Sequence, residues 1–305
     1  MALPALSTAA KGWLIILFSG STWGITFSLA KIATDLGAHP LGLTLWQGVL
    51  GGAAVFIFNL ARRVSIPLGR SYLFFYLVCG LLGTAVPSTL FFYAADNLPA
   101  GVLSIVVALV PIMSFAVAVP LGLDRPTVLR LVGVALGFVA IAMMIGPETS
   151  LPAPGLAPWL LFGVAASACY AIENNYIALR KPADTDSFTI LCGMFVVSAI
   201  VMAPVVAATG TFVPLTSPLG TVELCVIAMA LINVFSYGLF VYLVTATGPV
   251  FASQMSYVVT TSGVFWGIVI FGEQHSPWIW GALAVMLAGL ALVKPVTDAV
   301  VESTG

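Results

Sequence analysis

Ten apolar runs of about 20 residues, separated by short polar or Pro/Gly-containing stretches, leave this chain few environments in which to fold. A helix needs about 20 residues to cross the roughly 30 Å hydrocarbon core of a bilayer. The runs lie at 12–34, 41–62, 71–93, 98–120, 126–146, 157–179, 186–209, 221–245, 248–271 and 276–295. In hydrocarbon every backbone N–H and C=O must be satisfied by the protein, and a helix does this within itself. With 61% hydrophobic and 7% charged residues and a mean hydropathy of +1.13, the chain lacks the polar surface of a soluble fold. The predicted fold class is all-α integral membrane, with ten transmembrane helices.

The charges test that count independently. With the N-terminus in the cytoplasm, Lys11, Arg62, Arg63, Arg70, Arg125, Arg130, Arg180, Lys181 and Lys294 lie inside and only Lys31 lies outside. A missed or invented span would scramble this bias. The expected location is a bacterial-type inner (plasma) membrane, multi-pass, with both termini cytoplasmic. The net charge of −1 says little about partners, because topology places the positives. The basic cluster Arg62, Arg63 and Arg70 fits a topology anchor, and no nucleic-acid partner is expected. The first apolar run leads straight into another and reads as a retained helix, not a signal peptide. Cys79, Cys169, Cys192 and Cys225 lie in apolar spans without metal-like spacing, so neither a disulfide nor a metal or other cofactor is expected.

The longest hydrophilic break, Gly146 to Gly155, is rich in Pro and Gly and splits the spans into five and five. The expected organisation is a single transmembrane domain over 1–305: repeat 1 at 12–146, linker 147–156, repeat 2 at 157–295 and a cytoplasmic tail at 296–305. Tyr93 and Tyr242, Pro99 and Pro249, and Gly122 and Gly272 echo each other at an offset of about 150 residues. An odd number of spans per half turns the halves over relative to one another. Such inverted repeats place a central cavity near the midplane of many secondary transporters. Gly20/Gly24, Gly48/Gly52 and Gly133/Gly137 read as close-packing positions between helices of the same chain. Pro111, in the middle of the fourth run, is the candidate gating bend, with plain helix curvature as the simpler reading.

Polar side chains in hydrocarbon are costly unless they meet a partner or a wet cavity. In the first run Ser19, Thr22, Trp23 and Thr26 follow i, i+3, i+4, i+7, one helical face. Ser253, Ser256, Tyr257 and Thr260 repeat the pattern in the ninth run. The sixth offers Tyr170, Glu173 and Asn174 beside Ser167, and the eighth Asn233, Ser236 and Tyr237. These faces, with Trp46, are the candidate substrate-binding residues. The competing reading is hydrogen bonding to neighbouring backbone with no ligand involved. Glu173, the one acid deep in a run, has three readings: a proton carrier, a site for a substrate ammonium, or a group facing cytoplasmic water near Arg180. Glu273, Asp96, Asp35 and Glu148 are expected as solvated loop charges, with Lys31 and Asp35 paired at i, i+4.

No Lys or Arg lies deep in a run, which argues against phosphorylated or strongly anionic substrates. The expected partners are the lipid bilayer and a small neutral, zwitterionic or cationic solute; monomer and homodimer both stay open. An intramembrane enzyme is not expected, since His39 and His275 both fall near outer loops. No Walker A sequence supports an ATP-driven pump. A passive facilitator is the remaining alternative.

The order Trp23-Gly24, Lys31, Pro40, Leu98-Pro99-Ala100, Pro111 and Gly272-Glu273 resembles the drug/metabolite transporter superfamily, specifically its ten-helix EamA-type exporters. Gln47 and Leu123-Asp124 depart from the usual Arg and Gly-Glu. The resemblance implies helices 1–4 and 6–9 around a central cavity, with 5 and 10 packed outside. It also implies export of amino acids or toxic organic compounds by alternating access. The aromatic, base-free interior looks most like the aromatic amino-acid exporters of the YddG group, which implies amino acids with aromatic or hydrophobic side chains. Broad efflux of cationic drugs through Glu173 is the alternative.

Overall fold

The computed structural model describes residues 8–147, 149–247 and 252–293, and their regular structure is entirely helical. The first half opens with α1 (Thr8–Asp35) and α2 (Pro40–Ala61). His39 caps α2, its Nδ1 accepting the Leu41 N–H at 3.2 Å, and Pro40 takes a first-turn position that has no use for an N–H. α3 (Arg70–Gly80) runs through a π-helical turn, Leu81–Ala85, into α4 (Val86–Asn97), giving one span of 28 residues. Pro87 has no N–H for the Gly83 carbonyl, and the Val86 N–H reaches back to Leu81, which widens the turn.

α5 (Ala100–Val107) and α6 (Leu109–Ala118) form one span broken at Ala108. Pro111 cannot donate to the Val107 carbonyl, and the break falls beside that lost bond. α7 (Val128–Ile145) completes the half. The second half repeats the series as α8 (Ala157–Arg180), α9 (Ser187–Thr209), α10 (Thr221–Thr247), α11 (Met255–Phe271) and α12 (Pro277–Leu292).

Helical spans therefore occupy all ten apolar runs, but only seven are both long and apolar enough to qualify as crossings on those grounds. α8 has 24 residues, yet the adjacent Glu173, Asn174 and Asn175 dilute its apolar character. α11 and α12 are apolar but have 17 and 16 residues, about 24–26 Å of helix. Lys294, Glu148, Pro249 and the tail 296–305 lie outside the described residues.

Exchanging the halves leaves much of the packing pattern unchanged. α2 lies on α9, α5 on α11 and α7 on α12, each helix against its counterpart. α1 packs on α10 and α11, while its counterpart α8 packs on α4, α5 and α6. Absent side chains allow the closest approaches. A Cβ on Gly133 would fall 2.7 Å from the Gly289 carbonyl, and one on Gly289 would fall 2.8 Å from that of Gly133. Gly48 meets the Ala199 backbone of α9, and Gly20 and Gly24 meet Val258 and Val259 of α11. The predicted glycine contacts are thus made within this chain. At the centre, Leu103, Ile105, Leu109 and Ile112 of the α5–α6 span are fully buried.

At the helix ends, Lys31 pairs with Asp35 at 2.6 Å as expected. Two other charges depart from expectation. Arg130 is more than a topology marker: its guanidinium holds both Asp124 oxygens at 2.7 Å and lies 4.0 Å from the Phe115 ring centroid. Glu273 is not a solvated loop charge. Its Oε1 accepts the Ala100 N–H at 2.7 Å and its Oε2 accepts the Gly101 N–H at 3.0 Å, capping α5 from the end of α11. Pro99 precedes α5 and offers no capping side chain, so the orphan donors of the first turn are met from 172 residues away in sequence.

The Asp124–Arg130 pair carries a pH signature. Hydrogen bonding by Arg130 holds the Asp124 carboxyl below its ordinary value of 3.8. A depressed folded-state pKa means that the stabilisation is complete above the unfolded value and is lost as pH falls through the folded one. Thermal melts in detergent are therefore expected to show an acid-limb loss below about pH 4 that Asp124→Asn reduces; an identical limb in the variant would contradict it.

Candidate functional site

A carboxylate in hydrocarbon is costly without a partner, so Glu173 is where a functional site is best sought. It is 5% exposed on α8, and none of the ion pairs among the described residues includes it. Burial removes the reading in which it faces cytoplasmic water beside Arg180. Its carboxyl lies against the π-helical turn, where a Cβ on Gly83 would be 2.9 Å from Glu173 Cδ. The turn therefore presents backbone to the acid and leaves room that a side chain would fill.

Around this carboxyl the fold gathers groups from four elements. Tyr170, one turn earlier on α8, and Tyr237 of α10 lie within its electrostatic reach, as does Cys79 of α3. Tyr170 hydrogen-bonds with Ser88 of α4, and the Tyr237 ring meets Phe188 edge-on at 6.3 Å. One turn before Tyr237, Asn233 accepts the Trp23 indole N–H at 2.9 Å, linking α10 to α1. Trp23 and Asn233 thus join α1 to α10, while Tyr170 and Tyr237 are the aromatic groups within electrostatic reach of Glu173. The Glu173 carboxyl is buried, and the described ion pairs bring no protein cation to it.

The other predicted residues divide by what they bond. Thr22 and Thr26 of α1 donate to the carbonyls of Phe18 and Trp23, and Thr260 of α11 donates to that of Ser256. These three act as hydroxyls usually do in apolar helices. Ser19 and Ser236 are wholly buried, and their hydroxyls find no partner among the described residues. Trp46 stands apart: its indole donates to the Val213 carbonyl at 2.7 Å and its ring leans on Phe212, so it fastens the α9–α10 connection. Asn174 is exposed beside α6, its amide 3.3 Å from Ser114 Oγ.

Helix α11 begins only at Met255, which puts Ser253 in the preceding turn, off the helical face shared by Ser256, Tyr257 and Thr260. Pro111 marks a real helix break, described above. Sequence reasoning missed Asn175, which is buried and bonds the Ser114 and Ala171 carbonyls, and also Ser88 and Gly83. Asn175 adjoins Glu173-Asn174 and was within reach; the Gly83 contact needs the π turn. Among the described residues no group of three or more His, Cys, Asp or Glu is placed to hold a metal ion.

The fold and this interior can be compared with known proteins. The EamA-like transporter family matches residues 10–146 and 157–294. The chain belongs to that family. EamA relatives include the uncharacterized inner membrane transporter YedA of Escherichia coli K12, 25% identical over 291 residues, covering 92% of each chain. YedA of E. coli O157:H7 matches equally. A solved crystal structure superposes with a TM-score of 0.63 at 19% identity over 92% of this chain and 96% of the other, a likeness of fold. This EamA protein is thus a multi-pass inner-membrane transporter protein. These matches do not confirm the YddG group, and that expectation rests on interior chemistry and general likeness.

Proposed function

We propose that this EamA protein is a secondary exporter working by alternating access on small solutes that carry an ammonium group, with aromatic or hydrophobic amino acids as the best candidates. The observation that supports the reading is the buried Glu173 carboxyl, which has no protein cation paired to it among the described residues and has Tyr170 and Tyr237 within its electrostatic reach. An ammonium supplies the missing charge, and the rings favour a cation and an apolar side chain. Asn233, linked to Trp23, offers an amide for a substrate carboxylate. The two halves, each of five spans, rock around this site with both termini cytoplasmic.

The test is counterflow of labelled phenylalanine into proteoliposomes preloaded with unlabelled phenylalanine, with lysine-loaded vesicles as control. Transient accumulation that requires matched loading is expected. Flux that equilibrates without accumulation would make the protein a passive facilitator. Accumulation of quaternary-ammonium drugs and not of phenylalanine would move the substrate to cationic drugs.

A further inference from the structure

The interior of the helix bundle is sealed toward one end of the membrane and open toward the other. Near the end where α5 begins and α11 stops, Thr260, Gly263 and Gly267 of α11, Ala230 of α10 and Ser167 of α8 are all buried. Further along the same helical faces the burial gives way. Ser256 of α11 and Asn233 and Tyr237 of α10 are partly exposed, and Asn174 of α8 is exposed. That exposure is not to lipid. Exposed Ile172 and Leu179 mark the outer surface of α8, and Asn174 stands about 140–160° around the helix from them. Asn174 therefore meets an opening inside the bundle. The open end is the one at which α1 starts, cytoplasmic in the reading above, and the sealed end is the outer one.

A contact between α5 and α11 makes the seal. Beyond the break at Ala108, α6 continues the same span but packs on α8 and α7, so the crossing helices meet at the sealed end. Their facing residues are small. A Cβ on Gly267 would fall 3.0 Å from the Gly101 nitrogen, Gly263 meets the Ser104 side chain, and the Ser104 hydroxyl donates to the Thr260 carbonyl at 3.1 Å. Faces of this kind can part without unlocking interdigitated side chains.

Glu273 fastens the contact from the α11 side. Its two carboxyl oxygens hold the Ala100 and Gly101 N–H groups, and His275 Nε2 lies 3.3 Å from the same Oε2 that takes the Gly101 N–H. Donors and acceptors alike sit at helix ends, where water can replace each bond as the helices part. The other end of α5 is the Ala108 break, and only eight residues lie in the segment before it. A short rigid helix held between a hinge and a polar fastening is a lever.

We propose that Glu273 on the first turn of α5 is the latch of an outer gate, shut in this structure, and that solute leaves outward only after α5 swings off α11 about the Ala108 break. The gate rests on the alternating-access reading and does not depend on which solute is carried.

Thiol labelling of the full chain in membranes tests it. Cys79, Cys169, Cys192 and Cys225 are replaced by Ala and one reporter is added at a time, Thr260→Cys on the sealed side or Ser256→Cys on the open side. A membrane-impermeant sulfonated maleimide is applied to spheroplasts and to inside-out vesicles. With Glu273 in place, Ser256→Cys is expected to label from the open side and Thr260→Cys to be protected from both. Glu273→Ala is expected to speed outer-side labelling of Thr260→Cys about ten-fold or more and to slow labelling of Ser256→Cys. Glu273→Gln, which keeps one acceptor, should fall between. The opposite signs are the signature of a shifted gate, because a loosened fold would speed both reporters. Faster labelling of both, or rates untouched by Glu273→Ala, would overturn the proposal.

Should the cysteine-free chain fail to fold, hydrogen exchange of the otherwise unaltered protein decides. Glu273→Ala should then speed exchange over residues 100–107 and 260–271 and slow it over 252–258; faster exchange in all three, or no change, would overturn the gate equally. Neither measurement needs a substrate. A gate that responds while phenylalanine counterflow fails leaves the latch standing with another solute. Working counterflow with unresponsive reporters removes the latch and keeps the transporter.

Discussion

Glu173→Gln is expected to abolish most transport while leaving the protein at least as stable as before. A solute ammonium that loses its buried carboxylate partner loses about 2–5 kcal/mol, and 1.4 kcal/mol is ten-fold in affinity. Counterflow at sub-saturating solute should therefore fall by about 30-fold or more. The stability half of the prediction has a separate cause. Glu173 is buried with no ion pair described for it, so the empty protein bears the cost of either an unpaired buried charge or the proton uptake that neutralises it, and a neutral isostere removes both. A variant that melts at a higher temperature and does not transport would show the acid to be held for function at some expense of stability. Glu173→Asp, one methylene shorter, should keep part of the activity.

Counterflow also separates substrate binding from proton coupling. A residue that only carries protons is dispensable for exchange of solute on both sides, yet essential for uphill movement driven by a proton gradient. Loss of both activities in Glu173→Gln supports the ammonium site. Loss of gradient-driven transport with intact exchange would assign Glu173 to the proton. Unchanged transport in both assays, with folded protein, would remove Glu173 from the mechanism.

The second large effect is expected far from the chemistry. Glu273→Ala removes both acceptors of the α5 first turn and leaves two backbone donors without partners beside the most buried span of the fold. Loss of a charged cap with two such bonds should destabilise the protein by about 2–4 kcal/mol. Denaturation in mixed micelles, followed by circular dichroism, reads this directly. Glu273→Gln retains one carbonyl acceptor and should lose about half as much. Gly101→Ala provides an independent check, because its Cβ would fall 2.8 Å from His275 Nε2 and 2.9 Å from Glu273 Oε2. It displaces the cap without altering the carboxylate. Wild-type stability in both Glu273→Ala and Gly101→Ala would show that water satisfies the turn and that the cap is incidental.

Much of this architecture could be read from the chain. The Pro/Gly-rich break divides it between Ile145 and Ala157, where helices α7 and α8 end and begin. The echo of Gly122 and Gly272 reappears as matching positive φ values of 70° and 65° at the ends of counterpart spans. Asp124, set where the family usually has Glu, is held by Arg130 six residues on, while Glu273 caps α5 across the fold. One sequence departure therefore became two different uses of an acid. The candidate site was only half legible. Trp23 does reach Asn233, and Tyr170 and Tyr237 lie within electrostatic reach of Glu173, whereas Trp46 bonds the Val213 carbonyl and Ser253 lies in the turn before α11.

The division follows from the range of the forces involved. Hydrocarbon imposes its condition on each segment separately, since a stretch must satisfy its own backbone and be apolar enough to cross. Sequence alone therefore determined the apolar runs that become helices, the near-neighbour pair of Lys31 and Asp35, and membership of a membrane-transporter class. Tertiary structure decided how far each helix turns about its own axis, and with it which polar groups find partners. Periodicity puts Thr22 and Trp23 on one face but cannot say that one bonds its own helix while the other reaches Asn233, 210 residues away. That choice, like the burial of Glu173, depends on neighbours that only the packed fold brings within range.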